Sequence, residues 1–275
     1  MKKLLALTLS VIMAASMLVG CGNKAAENAD TSAPAAAESD LAYITDKGEL
    51  LIGMTLFAPM DYYEGEELVG FEVDFGKAVC EKLGVTPKFV EIDWSAKEVE
   101  LSSKNIDCIW NGMTITDDRK ANMSISNPYM TNKQVMVAKK DKADGYKESI
   151  ADALVVAEAG SAGEELATTD AFFQDAKFTP VDSMAKALMD VASGTSDIAI
   201  VDYVTSIGSI GEGTDYADLV VVEADDFSPE EYGIAFRKGS DVTEKINAII
   251  SELVADGTLA EIAAKYKLTD VLSAK

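Results

Sequence analysis

Only two arginines occur in the chain, Arg119 and Arg237, against twenty-two lysines. Lysine suffices where a plain positive charge is wanted. Arginine is needed where a planar fork must grip a carboxylate or phosphate through two parallel hydrogen bonds. Arg119 closes the stretch 106–119, an apolar run that leads through Gly112, Thr114 and Thr116. That order suits a small anion clamp at the carboxyl end of a strand, where open α/β sheets bind ligands. A surface arginine in an ordinary ion pair is the competing reading, and the local residues leave both open.

Gly160–Gly163 follow a second apolar run and open a helix. Free N–H groups and the positive dipole end there also suit an anion, with Gly160 permitting close approach and Ser161 adding a hydroxyl. Asp202 ends a third apolar run. It is placed either to cap the helix that begins at Tyr203 or to accept from an ammonium group shared with the Gly112 carbonyl and Thr114 hydroxyl. An arginine and N–H pocket beside a carboxylate matches the zwitterion of an α-amino acid.

Absent residues narrow the chemistry further. The chain has no histidine, which removes most zinc sites, Ser-His and Cys-His nucleophile pairs and imidazole acid–base work. It has no Walker A segment, no G-x-G-x-x-G after a strand and no G-x-S-x-G elbow. No catalytic residue, metal or cofactor is therefore expected. The formal charge of −23 disfavours nucleic acid and anionic headgroups as partners.

Strand-like and helix-like segments alternate around these residues. Glu49–Thr55, Pro87–Ile92 and Asp107–Trp110 read as strands. Between them lie a helix over Val73–Leu83, stopped by Gly84, and another over Ser95–Lys104 with Ser95 as N-cap. The pattern repeats with strands at Gln134–Ala138, Ala153–Ala157, Asp197–Val201, Leu219–Val222 and Tyr232–Phe236. Its helices run from Glu164, over Met184–Ala192, and over Ser240–Leu268 with a break at Asp256–Gly257 and a cap at Ser240 or Asp241. Two α/β lobes follow, each a mostly parallel sheet with flanking helices. Loop-rich places near Tyr129–Lys133 and Ser228–Glu231 suit the crossings between them. Cys80 and Cys108 read as small buried apolar residues, a disulfide being the other option.

The ends are of another kind. Lys2 and Lys3 precede a mostly apolar run, Leu4–Met17, too short to span a bilayer comfortably. It ends in Leu18–Cys21, which resembles a bacterial lipobox; residues 1–20 are then a signal peptide, and the Cys21 thiol accepts a lipid. Loss of Lys2 and Lys3 takes the charge from −23 to −25. Residues 21–40 are small and polar, a flexible tether. Lobe 1 is expected from residues 41–130 plus 232–275, and lobe 2 from 133–228.

Taken in order, Gly70–Asp74, Asn111–Lys120, Ser126–Tyr129, Ala159–Ser161, Asp197–Asp202 and Tyr232–Lys238 resemble the polar amino-acid-binding proteins of ABC importers, solute-binding protein family 3. The likeness runs from about Leu41 to the C-terminus. It implies the type II periplasmic-binding-protein fold, with two lobes and two hinge crossings that close on the ligand. Carried over by position, Arg119 binds the α-carboxylate, helped by the N–H groups of Met113, Thr114 and Ala162. Asp202, the Gly112 carbonyl and the Thr114 hydroxyl bind the α-amine. Phe57 and Trp94 wall the ligand side chain, although a lone aromatic is more often core.

Departures lie where specificity is set. Met54 stands where some relatives carry an acid, and Glu158 where others carry Gln, Lys or Leu. A basic side chain pairs with Glu158 and an uncharged polar one bonds Asn111. Cystine or another polar amino acid ranks first, then Lys or Arg, then glutamine; an acidic side chain ranks last, because a buried Glu158 would face it unpaired. Partners implied are an ABC permease and its ATPase subunits, and the membrane through the lipid on Cys21. A monomer on the outer face of the membrane of a Gram-positive cell is expected. The alternatives are a dehydratase-like enzyme on the same scaffold, with Glu158 as its acid, and a sensing or adhesion lipoprotein.

Overall fold

The computed structural model describes residues 39–224 and 227–274. The signal segment, Cys21 and the tether through residue 38 lie outside them. The chain runs through α1 (Asp40–Lys47), β1 (Glu49–Met54), the hairpin β2 (Tyr62–Glu64) and β3 (Glu67–Val69), α2 (Phe71–Leu83), β4 (Thr86–Glu91), α3 (Lys97–Ser102), β5 (Cys108–Ile109), α4 (Asp117–Asn122) and β6 (Met123–Ile125). It crosses on β7 (Met130–Asn132) and continues as β8 (Gln134–Lys139), β9 (Leu154–Glu158), α5 (Ala162–Thr169), β10 (Lys177–Val181), α6 (Met184–Ser193), β11 (Ile198–Asp202), α7 (Tyr203–Ser209) and β12 (Leu219–Val221). It returns on β13 (Glu230–Tyr232) to β14 (Ala235–Arg237), α8 (Val242–Ala255) and α9 (Thr258–Lys265).

Two five-stranded sheets result, ordered β4-β1-β5-β14-β6 and β10-β9-β11-β8-β12. They are mixed rather than mostly parallel. β1 pairs in parallel with β4 and β5, and β9 with β10 and β11, but β14 and β8 run antiparallel to both their neighbours. Register gives the reason. Gln134, the first residue of β8, faces Asp202, the last of β11, and Ala235, the first of β14, faces Ile109, the last of β5. A strand that enters a sheet from the edge where its neighbours end must run against them. The two crossings are not loops: β7 and β13 pair antiparallel with each other.

Local chemistry explains the elements. α2 buries Phe71, Phe75 and Val79 at helical spacing, carries Glu72 and Asp74 in its first turn, and ends at Gly84 in a left-handed cap. Phe75 meets Trp110 edge-on at 4.8 Å and Tyr129 at 5.7 Å; each such buried aromatic contributes about 1.5–3 kcal/mol through area alone. The α3 region departs from expectation. Asp93, not Ser95, caps a single 3-10 turn at Trp94–Ala96, accepting from Ser95 N–H, and α3 ends at Ser102. The strand expected over Tyr232–Phe236 is broken into β13 and β14 at Gly233–Ile234, where the chain passes from crossing to sheet. Asp241 precedes α8 without capping it; its carboxylate accepts from Ser39 Oγ and Leu41 N–H instead. Cys80 and Cys108 are buried and free, and burial pushes the Cys80 thiol up to about 12.

Arg237 is the structural arginine. Its Nε donates to both Asp40 oxygens at 3.0 Å, Nη1 to the carbonyls of Leu101 and Ile106, and Nη2 lies 3.7 Å from the fully buried Asp107. Asp40 thereby belongs to the fold and not to the tether. Arg237→Met strands Asp40, while Asp107 keeps Lys47 and the Leu51 N–H as partners, so a loss of about 3 kcal/mol is expected in denaturant unfolding. A loss below about 1 kcal/mol would deny this network its role.

Candidate functional site

The carboxyl ends of β1, β5, β9 and β11 face one another across the lobes. Between them lies a small cavity of about 10 Å³, lined by Trp94, Asn111, Gly112, Thr114, Arg119, Glu158, Ser161, Ala162, Met184 and Asp202. Nine of these ten were singled out in the sequence; Met184, the first residue of α6, was not. The volume is far below the 300–1,000 Å³ usual for ligand pockets, so a ligand enters only when the lobes part.

The first lobe supplies the segment after β5. Thr114 bridges Tyr232, Ile115 N–H donates to the Glu231 carbonyl, and Gly233 N–H to the Met113 carbonyl. Gly112 has φ +54, and a Cβ there would fall 2.9 Å from the Phe57 ring and 3.2 Å from that of Tyr232. Thr116 caps α4 by accepting from Arg119 N–H. The Arg119 side chain is turned inward, and its Nη1 donates to the Thr114 carbonyl at 2.7 Å. That bond fixes one edge of the fork and leaves the rest of it on the cavity. Burial holds this guanidinium below its ordinary value.

Asn111 is placed in the lining but is not free to read a ligand. Its Oδ1 accepts from Thr55 N–H and Oγ–H, and its Nδ2 donates to the Thr55 carbonyl and to Asp61. Both donors and both lone pairs of the amide are used, so the expected bond from Asn111 to an uncharged ligand side chain has no group to make it. Phe57 and Met113 lie one layer behind. Phe57 backs Gly112, and Met113 packs in the cluster of Trp94, Leu101 and Ile109; neither borders the cavity. Met54 is likewise core.

The second lobe supplies the acids and the helix end. Ser161 caps α5, its hydroxyl oxygen accepting from Glu164 N–H, while Gly160 N–H donates to the Glu164 carboxylate. The first N–H groups of α5, beginning at Ala162, have no intrahelical partner and lie at the cavity. Asp202 sits at the N-cap position of α7 but makes no cap bond. Asn132 does that work, accepting from Val204 N–H, and donates to Asp202 together with Gln134. The same two amides also donate to Glu230 of β13. Burial, then the neighbouring charge of Glu230, pushes Asp202 up to about 7. Glu158 is 2% exposed, with Oε1 lacking a hydrogen-bond partner, and burial pushes it up to about 8. Such a group is either protonated or awaiting a donor.

Lys97 ties the lobes together beside the cavity. Its Nζ donates to the Trp94 carbonyl at 3.1 Å and, across the gap, to the Gly160 carbonyl at 2.9 Å, and it stands over the Trp94 ring. A Cβ on Gly160, which has φ +73, would lie 2.9 Å from Ser95 Cα. Gly160→Ala is thus expected to hold the lobes apart and weaken ligand affinity by about 1–3 kcal/mol, roughly 5- to 150-fold, and to cost the unliganded protein about 1–2 kcal/mol through the left-handed backbone. Calorimetric titration and melting of the same sample check this; unchanged affinity would mean that close approach at Gly160 does not matter.

Two lobes of mixed sheet, crossed twice and enclosing opposed charges at their strand ends, define a two-lobed binding protein. The profile of the bacterial extracellular solute-binding proteins, family 3, matches residues 50–269, and the chain belongs to that family. It is 28% identical over 223 residues to the arginine-binding extracellular protein ArtP of Bacillus subtilis, covering 80% of this chain and 86% of that one. It is 29% identical over 282 residues to the L-cystine-binding protein TcyA of the same organism, covering 98% and 99%. A solved ABC uptake transporter substrate-binding protein from Streptococcus pneumoniae with bound histidine gives a TM-score of 0.77 at 28% identity, over 86% of this chain and 99% of that one. The ancestral amino acid-binding protein AncCDT-1, a precursor of cyclohexadienyl dehydratase, gives 0.75 at 30% identity, over 83% and 99%. The chain is a solute-binding protein and not an enzyme, in keeping with its curated relatives. No helix among the described residues is long and apolar enough to cross a membrane.

Proposed function

We propose that this protein captures a polar α-amino acid between its lobes and hands it to an ABC permease. One observation carries the reading. Arg119 of one lobe and Asp202 of the other, opposite in charge and both buried, line one enclosed cavity with the first turn of α5. Arg119, with the N–H groups of Thr114 and Ala162, takes the α-carboxylate. Asp202, the Gly112 carbonyl and the Thr114 hydroxyl take the α-amine. The ligand binds one lobe first, then bridges both, and contacts made only on closure favour the closed form.

Glu158 sets the side-chain class. Its unpartnered oxygen calls for a donor, which favours Arg or Lys, or cystine, whose far end carries a second ammonium group. Relatives whose names specify cystine and arginine are in keeping with both classes. Trp94 and Met184 pack against the aliphatic part. Cleavage before Cys21, a lipid on its sulfur and a tether to about residue 38 hold a monomeric protein at the outer face of a Gram-positive membrane. Residues 41–130 with 232–275 form the lobe that carries Arg119, and 133–228 the lobe that carries Asp202.

A thermal-shift screen of the full chain against all amino acids and cystine tests the reading, because a ligand that binds only the native state raises the melting temperature. A basic amino acid or cystine is expected to respond, and Glu158→Gln to lose that response. A folded sample with no responder would overturn the reading.

A further inference from the structure

Directly behind the cavity, the first lobe buries two carboxyl groups side by side. Asp61 and Glu72 are 0% and 1% exposed. Asp61 ends the short turn after Phe57, and Glu72 stands in the first turn of α2; Glu72 N–H donates to the Met60 carbonyl, which brings the two segments together. Each acid holds one of two consecutive residues of the cavity wall. Asn111 Nδ2 donates to Asp61 Oδ2 at 2.9 Å, and Gly112 N–H donates to Glu72 Oε1 at 2.9 Å, where Tyr129 O–H also donates. The other oxygen of each, Asp61 Oδ1 and Glu72 Oε2, has no donor.

Two buried carboxylates cannot both stay ionised in contact. One proton between Asp61 and Glu72 removes the repulsion and gives both orphan oxygens a partner. The titratable groups around the pair are few. Tyr129 faces it from the first crossing, and Tyr232 lies one ring further, at 6.2 Å between centroids. Tyr266, from the end of α9, accepts from Gly70 N–H and donates to Asp74, which also pairs with Lys265. The neighbouring charge that acts on Asp61 is that of Glu72, and it is repulsive; burial raises both acids.

We propose that Asp61 and Glu72 share a single proton and act as positioning residues, holding Asn111 and Gly112 in the conformation that presents the Gly112 carbonyl to the ligand. Neither touches the cavity, so they act through the segment they hold. The pair is one negative charge spread over two acids, with its only flexible element, the proton, inside the dyad. The affinity readout rests on the amino-acid reading above; the spectroscopic and stability readouts do not.

Asp61→Asn tests it on the ligand-free full chain. An amide at this position still accepts from Asn111 and donates permanently to Glu72, so fold and neutral-pH affinity should stay within about threefold of wild type. The infrared carbonyl stretch of a protonated carboxyl, present in the wild type at neutral pH, should lose the amplitude of one group. The sign of the pH effect follows from linkage. The folded protein keeps a proton that the unfolded chain releases near its ordinary carboxyl range of about 4, so wild-type stability falls as pH rises above that range. Relative to Asp61→Asn, the unfolding equilibrium should shift about tenfold per pH unit until the pair ionises. Asp61→Leu, which can neither accept nor donate, should lose affinity more than tenfold if it folds. An unchanged infrared spectrum, or melting curves of wild type and Asp61→Asn that run parallel with pH, would overturn the proposal.

Discussion

Arg119→Met is expected to abolish ligand capture while leaving the protein folded. The ligand carboxylate would then be enclosed in a cavity whose other charged lining groups, Glu158 and Asp202, are acids. Removing one partner of a buried, hydrogen-bonded charge pair costs about 2–5 kcal/mol, roughly 30- to 5,000-fold in Kd. Stability should change little, because the fork makes one bond to the protein, to the Thr114 carbonyl, worth about 1 kcal/mol. Arg119→Lys should recover little, since a point charge cannot reproduce the two-pronged contact while also holding Thr114. Calorimetric titration with the responder from the screen, beside a denaturant melt, measures both quantities. Affinity within threefold of wild type would remove Arg119 from the site.

Asp202→Asn should cost nearly as much, and it carries a signature in pH. In the ligand-free protein burial pushes Asp202 up to about 7, whereas an unfolded aspartate titrates near 3.9. Its folded value is raised, so its contribution to ligand-free stability is fully present below about pH 4 and is lost as pH rises through about 7. Ligand affinity must move the other way. An ammonium group binds the ionised form, so affinity rises over that window and levels off above it. Asp202→Asn should remove this rise in affinity, weaken binding by about 2–4 kcal/mol, and leave the ligand-free protein at least as stable as wild type near neutral pH. Affinity profiles that superimpose for the two proteins would sink the ammonium assignment.

What was legible in the sequence follows a simple division. Arg119, Glu158 and Asp202 could be placed because each ends or follows an apolar run, and a strand's carboxyl edge is where a parallel connection leaves room for a ligand. Gly112 and Ser161 came with their motifs, and Trp94 by its position in the family resemblance. The misplacements were a matter of depth. Phe57 and Asn111 are in the right neighbourhood, but sequence does not tell whether a side chain ends at a surface or is consumed by its neighbours. Asn111 is consumed by Thr55, fifty-six positions away. Met184 has no motif, only a place at the start of a helix. The three-residue strands β6, β7 and β13 are too short to show a period of two. The mixed sheets were hidden for a related reason: alternation of strands and helices does not reveal from which end the chain re-enters a sheet.

The paired crossings carry a further consequence. Asn132 lies in β7 and Glu230 in β13, and both are bonded into the group around Asp202. The strands that must bend for the lobes to part therefore also hold the acid that meets the ligand amine. Empty, this group seats two neighbouring carboxylates on the hinge, with the charge of Arg119 reaching them from the other lobe. An arriving ammonium neutralises it there. Occupancy is thus sensed at the pivot as well as at the lips, and a filled protein should have a stiffer waist than an empty one even before its lobes are fully shut.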